Sequence, residues 1–96
     1  MKILAIEREA SGVSPDDFKP HLKAEAQRVW ELYQLGVFRE IYFDSDSHGA
    51  VIVMECRNAD EARRYLDTLP LVSEKLIRFE VMQLEPYSGF SRLFSS

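Results

Sequence analysis

The sequence predicts an α+β domain of the ferredoxin-like type, with a four-stranded antiparallel sheet and two helices on one face. Four segments rich in apolar residues have the length of strands, and two segments have the periodicity of helices. Their order is strand, helix, strand, strand, helix, strand, which is the β-α-β-β-α-β order of that fold. The 96 residues and the hydrophobic content of 46% fit one domain over residues 1–96, with a C-terminal tail from about residue 86.

The first strand and the first helix are predicted from the N-terminal third of the chain. Residues 3–7 form a strand that is apolar on both sides. Ser14 followed by Pro15 is typical of a helix start, but Pro20 lacks an N–H donor and crowds the preceding turn. We therefore expect a short turn before Pro20 and the main helix after it. Gly36 is expected to end that helix in the left-handed conformation.

The remaining elements begin with a β-hairpin. Residues 37–44 and 50–55 are predicted as the second and third strands, joined by a turn over residues 45–49. Asn58 and Glu61 have the spacing of a capping box, in which Asn58 caps a second helix and the Glu61 side chain reaches back. Pro70 is expected to stop that helix, and residues 77–84 to form the fourth strand.

The two faces of the predicted sheet are both apolar. Leu4 and Ile6 lie opposite Ile3 and Ala5, and the third strand shows the same pattern. Two helices cover only one face, and an exposed apolar face would forgo about 25 cal/mol for each Å² left in water. We therefore expect a homodimer or a higher homo-oligomer that closes a barrel between subunits. The aromatic residues of the tail are expected to dock on a neighbouring subunit.

Composition excludes several classes of partner and site. The formal charge of −4, from 16 acidic and 12 basic residues, argues against a nucleic-acid partner. The charged N-terminus and the lack of an apolar run near ~20 residues predict a cytoplasmic protein without a membrane partner. Cys56 is the only cysteine, the two histidines are distant and the glycines are isolated. The sequence thus predicts no disulfide, no metal site and no phosphate-binding loop.

Four short segments carry a resemblance to a known family. Residues 35–39, the turn that contains His48, the helix start at residues 59–62 and above all residues 68–71 resemble the muconolactone isomerase-like branch of the dimeric α/β-barrel superfamily. The resemblance spans roughly residues 22–86 and departs from the family in the shorter first loop and in the tail. It implies two-fold dimers, a small pocket beside each sheet, and acid–base chemistry by side chains without a metal or organic cofactor.

Three residues are candidates for that chemistry. His48 matches a histidine of the isomerase and could accept a proton, although a solvated turn residue is the alternative. The Tyr42 hydroxyl could donate to an enolate oxygen, and a cavity would raise the pKa of Glu55, whose alternative is a strand-end charge facing water. We hypothesise a pocket between the second face of the sheet and the partner, with His48 and Tyr42 at or near its mouth.

The sequence leaves three functions open. The first is a cofactor-free isomerase that acts on a small cyclic or aromatic-derived acid or ketone, and the second is a cofactor-independent monooxygenase. The third is a non-catalytic module for ligand binding or assembly. A closed apolar cavity without ionisable groups would favour the binding module, whereas Glu55 or His48 projecting into the cavity would favour an enzyme.

Overall fold

The computed structural model describes residues 1–95, and its elements follow the predicted order. The strands are β1 (Lys2–Glu9), β2 (Phe38–Phe43), β3 (Ala50–Glu55) and β4 (Ile77–Gln83). The helices are α1 (Pro15–Phe18), α2 (Leu22–Gln34), α3 (Ala59–Leu66) and α4 (Pro70–Ser73). Single 3₁₀ turns span Lys19–His21 and Gly89–Leu93. Within residues 1–95, no helix combines the length and the apolar content needed to cross a membrane.

The four strands form one antiparallel sheet in the order β2-β3-β1-β4. In the centre of the sheet Ala5 of β1 lies between Ile52 of β3 and Val81 of β4. The pairing of β2 with β3 is irregular between Phe38 and Glu40. The predicted ferredoxin-like α+β fold is therefore confirmed, with β2 and β4 as the edge strands.

The core lies between the helices and one face of the sheet. Its largest fully buried side chains are Ile3, Leu32, Phe38, Ile52, Met54 and Leu69. Because side chains alternate along a strand, the residues of β1 that point toward the helices are Ile3, Ala5 and then Glu7. The inward row of β1 thus ends in a carboxylate.

The opposite side of the sheet is named the open face. Its centre is formed by five apolar residues: Leu4, Ile6, Val51, Val53 and Met82. None of them is buried, and Met82 is 45% exposed. Glu80 forms ion pairs with Arg8 at 3.3 Å and with Arg78 at 3.7 Å beside this apolar centre. The prediction that both faces are apolar is confirmed for the middle of the sheet.

The helix ends agree with the sequence analysis at Gly36 and in part at Asn58. Gly36 has φ 78°, and the Val37 N–H donates to the Leu32 carbonyl at 3.0 Å, which closes the end of α2. Asn58 accepts the Glu61 N–H at 2.8 Å. The predicted reach-back of Glu61 to Asn58 is wrong, since its carboxylate accepts the backbone N–H of Arg57 at 3.1 Å.

Pro70 has a different role from the one predicted. Helix α3 already ends at Leu66, and Pro70 is the first residue of α4. A proline at the first helical position loses nothing, because that N–H has no partner within the helix. Pro70 therefore starts a short helix that brings Leu71 toward α2.

The tail, residues 85–95, projects from the body of the domain. Its four large apolar side chains are all at least 68% exposed: Tyr87, Phe90, Leu93 and Phe94. Within residues 1–95, no hydrogen bond joins residues 85–95 to the rest of the chain. The radius of gyration is 15.9 Å, against about 12–13 Å for a compact domain of this length. The tail is thus an extended apolar arm.

Candidate functional site

A cleft of about 770 Å³ lies between the N-terminal part of the helical layer and the sheet. Most of its wall is apolar, and the side chains that form it are Phe18, Leu22, Val29, Ile41, Phe43, Ile52, Leu69, Leu71 and Phe79. Leu22 is 50% exposed and Phe43 is 75% exposed. The cleft therefore opens to solvent where α2 begins, since α2 packs into the core only farther along, at Leu32.

Glu7 enters the cleft from β1. It occupies the inward row that begins with Ile3 and Ala5, and it is half-buried. Its Oε1 accepts the Ala50 N–H at 3.2 Å. Burial raises the pKa of Glu7 above its ordinary value, the Ala50 hydrogen bond opposes this, and the nearby charge of Glu9 adds to it.

Glu25 enters the same cleft from the first half of α2. It is half-buried, and its Oε1 accepts the Leu71 N–H at the start of α4, at 2.9 Å. Burial raises the pKa of Glu25, the Leu71 hydrogen bond lowers it, and the charge of Glu7 raises it further. The charge of Glu7 thus opposes the ionisation of Glu25.

His48 lies at the rim of the cleft, in the turn between β2 and β3. Its φ of 59° is in the left-handed region, which is uncommon for any residue except glycine. The turn is held by the His48 N–H, which donates to the Asp44 carbonyl at 2.8 Å, and by the Ser47 hydroxyl, which donates to the Asp44 carboxylate at 2.7 Å. The hydrogen bond from Ser47 is the largest cause of a lowered pKa at Asp44.

Tyr42 and Glu55 lie away from this cleft. Tyr42 belongs to the row of the open face, opposite Val51, and its hydroxyl donates to Glu40 at 2.7 Å, which raises the pKa of Tyr42. Glu55 ends β3, where its carboxylate lies 2.9 Å from the amino group of Met1. That hydrogen bond lowers the pKa of Glu55, which is the opposite of the raised pKa expected in a cavity.

The single chain holds a cleft on the other face of the sheet from the pocket hypothesised against a partner, and that pocket stays a prediction. The cleft is on the helix-facing side of the sheet, because α1 and the first half of α2 stand away from it. Of the three predicted residues only His48 lines the cleft. Tyr42 borders a smaller groove of about 550 Å³ at the β2 edge, beside the stacked rings of Trp30 and Tyr33.

Two site residues were missed, although the sequence contains their signal. Glu7 continues the inward alternation of Ile3 and Ala5, and a carboxylate at such a position is unusual. Glu25 lies on the apolar stripe of α2, three residues after Leu22 and four before Val29. An acidic residue on a buried row or stripe indicates either a structural hydrogen bond or a role in chemistry. Both Glu7 and Glu25 make such a hydrogen bond.

The arrangement suits proton transfer. Half-buried carboxylates with raised pKa values are stronger bases than exposed ones. Among the residues that the structure describes, no group of three or more His, Cys, Asp or Glu side chains is placed to hold a metal ion. Cys56 is buried in the core, where burial raises the pKa of its thiol.

Comparisons with known proteins identify the fold. Neither a family model nor a curated protein sequence matches the chain. The crystal structure of muconolactone isomerase is similar, with a TM-score of 0.73, 16% identity, and coverage of 92% of both chains. The 5-chloro-2-hydroxyhydroquinone dehydrochlorinase of Burkholderia phenoliruptrix AC1100, in complex with 2,5-dihydroxybenzoquinone, is also similar. Its TM-score is 0.70 at 14% identity, over 93% of this chain and 98% of that chain. The resemblance noted in the sequence is thus confirmed at the level of the fold.

Proposed function

We propose that the protein is a cofactor-free acid–base enzyme of the isomerase type, which acts on a small ring compound in the cleft. The observation that carries the proposal is the placement of Glu7 and Glu25 in an apolar cleft, both with a raised pKa. Such carboxylates are matched to the removal of a proton next to a carbonyl group. The presence of ionisable side chains in the cleft favours an enzyme over the non-catalytic binding module.

The two carboxylates have complementary roles in this proposal. Each uses Oε1 to accept a backbone N–H, and no hydrogen bond within residues 1–95 occupies either Oε2. One carboxylate removes a proton from a carbon next to a carbonyl group, which leaves an enolate. Where a C=C bond adjoins that carbon, the enolate extends over it. Either the same carboxylate returns the proton to the far carbon, or the second carboxylate, protonated beforehand, donates its own proton there, so that the double bond moves and one carboxylate is left as the free base. His48 at the rim can donate to the substrate oxygen.

The structural relatives support the reaction class by their names. One is an isomerase, and the other is a dehydrochlorinase whose structure holds a dihydroxybenzoquinone. Removal of a proton from a small ring compound is compatible with both names. The acid–base roles of Tyr42 and Glu55 stay predictions for a second arrangement, in which the site lies between the open face and a partner.

The open face and the tail support a homo-oligomer. The apolar centre of the open face is uncovered in one chain, and covering a few hundred Å² would stabilise a complex by several kcal/mol at about 25 cal/mol per Å². The simplest cover is the open face of a second copy about a two-fold axis, as in a dimeric α/β barrel. The exposed tail supports the same proposal, because four large apolar side chains gain most by packing on a neighbouring copy.

Deuterium exchange tests the proposed chemistry whatever product the reaction forms. Small cyclic ketones, lactones and quinols are incubated with the protein in D₂O, and proton NMR detects exchange next to the carbonyl group. For a compound that exchanges, we expect Glu7→Gln, Glu25→Gln and His48→Ala each to slow the reaction by about 10²-fold or more. Tyr42→Phe and Glu55→Gln serve as matched variants on the open face.

The outcomes separate the two arrangements. Loss of exchange in the Glu7 and Glu25 variants, with exchange retained in the Tyr42 and Glu55 variants, is the expected result. The reverse pattern would move the site to the open face. Unchanged exchange in Glu7→Gln and Glu25→Gln would contradict the proposed mechanism.

A further inference from the structure

The two half-buried carboxylates of the cleft, Glu7 and Glu25, have no cationic partner within residues 1–95. Three carboxylates line the cleft, those of Glu7, Glu9 and Glu25. Both Glu7 and Glu25 accept only a backbone N–H among the hydrogen bonds of residues 1–95, and neither forms an ion pair there. A backbone N–H partly compensates a negative charge but does not cancel it.

The cationic residues at the cleft are engaged elsewhere. The Lys19 ammonium lies 2.9 Å from the carboxylate of Asp16. Arg8 alternates with Glu7 along β1, so its side chain belongs to the open face, where it pairs with Glu80 at 3.3 Å. His48 is the remaining titratable group of the lining. Neither Lys19 nor Arg8 therefore pairs with Glu7 or Glu25.

The apolar wall increases the effect of these charges. Phe18, Phe43 and Phe79 contribute apolar side chains to this wall. Half-buried charges are also screened less by salt than exposed ones. An anionic ligand would be repelled by the two half-buried carboxylates, whereas an ammonium group would be attracted to them.

We infer that the ligand of the cleft is an apolar ring compound that carries a protonated amine, and that ring compounds with a carboxylate are rejected. The inference rests on the proposed function only in placing the ligand in this cleft. It narrows the substrate class from cyclic acids or ketones to cyclic ketones that also carry a protonated amine. The cleft itself is the binding site, and its carboxylates determine the charge of the ligands that bind there.

Three probes of nearly equal size test the inference: benzylamine, benzyl alcohol and benzoate. Their affinities are measured by NMR titration of the full chain at pH 7 and low salt. We expect benzylamine to bind at least tenfold more tightly than benzoate, with benzyl alcohol between them. Glu7→Gln and Glu25→Gln should each reduce the preference for the amine, while Glu74→Gln, an exposed acidic residue at the end of α4, should leave it unchanged.

Salt provides a second measurement that needs no variant. Raising the ionic strength to about 0.5 M should weaken benzylamine binding and should not weaken benzyl alcohol binding. Benzoate affinity equal to that of benzylamine, or no binding of any probe at the cleft, would overturn the inference. A preserved order of affinities without deuterium exchange would instead refute the proposed catalysis and leave the charge preference standing. Deuterium exchange of a carboxylate-bearing substrate at an undiminished rate would refute the charge preference and leave the proposed catalysis standing.

Discussion

Replacement of Glu25 separates its structural role from its charge. Glu25→Gln and Glu25→Ala both remove the negative charge, but only glutamine keeps an oxygen that can accept the Leu71 N–H, now at 2.9 Å. A partly buried N–H without an acceptor costs about 1–3 kcal/mol. The higher helix propensity of alanine offsets about 0.4 kcal/mol of that cost. We therefore expect Glu25→Ala to be less stable than Glu25→Gln by about 1–2 kcal/mol.

The negative charge of Glu25 lowers stability, whereas its hydrogen bond to the Leu71 N–H raises it. Because the folded state raises the pKa of Glu25, its ionised form is less favoured in the folded protein than in the unfolded chain. The protonated form of Glu25 is the one that stabilises the folded state. This contribution is fully present below the pKa of Glu25 in the unfolded chain, about 4.3, and it is lost as the pH rises through the pKa of Glu25 in the folded protein. Glu25→Gln should therefore be more stable than the wild type at pH 7, and the difference should disappear in acid.

Urea unfolding followed by circular dichroism measures both effects. With a slope of about 1–2 kcal/mol per M for a domain of this size, the alanine and glutamine variants should differ by about 1 M in midpoint. All proteins are compared at one concentration, because association also stabilises the folded state. Equal midpoints for the two variants, or a glutamine variant weaker than the wild type at pH 7, would refute this reasoning.

Three further predictions concern the fold and its assembly. Leu69→Ala removes a fully buried side chain and should lower the free energy of unfolding by about 2–5 kcal/mol, measured by urea unfolding; a loss below about 1 kcal/mol would contradict its place in the core. Gly36→Ala should cost about 1 kcal/mol in the same assay because Gly36 has φ 78°, and a neutral effect would count against the left-handed helix end. Val53→Asp at the centre of the open face should shift sedimentation equilibrium from dimer toward the 11.1 kDa monomer, and a wild type that is itself monomeric at micromolar concentration would refute the proposed dimer.

The local elements could be predicted because local chemistry determines them. Strand β3 has the predicted bounds, and the end of α2 at Gly36 follows from a conformation that few other residues adopt. Pro70 was misread because proline is compatible with both the end of one helix and the start of another. Only the path of the chain between Leu66 and Leu71 distinguishes these two roles.

The site was less predictable because it depends on how the layers pack. The alternation of β1 and the stripe of α2 place Glu7 and Glu25 on the core side, but periodicity does not say that α2 stands far enough from the sheet to leave a cleft there. Tyr42 lies on the open face, whereas the cleft of the single chain lies on the other face. His48 lines it because the hairpin turn reaches the rim between the layers.

The pKa values of the glutamate side chains test the central claim most directly. They can be measured in the full chain by ¹³C NMR of the side-chain carboxyl groups as the pH is varied. The account predicts that Glu7 and Glu25 titrate above the ordinary value of a glutamate, about 4.3, while Glu55 titrates below it. Titration of Glu7 and Glu25 at or below that value would contradict the claim that the cleft prepares two carboxylates for proton transfer.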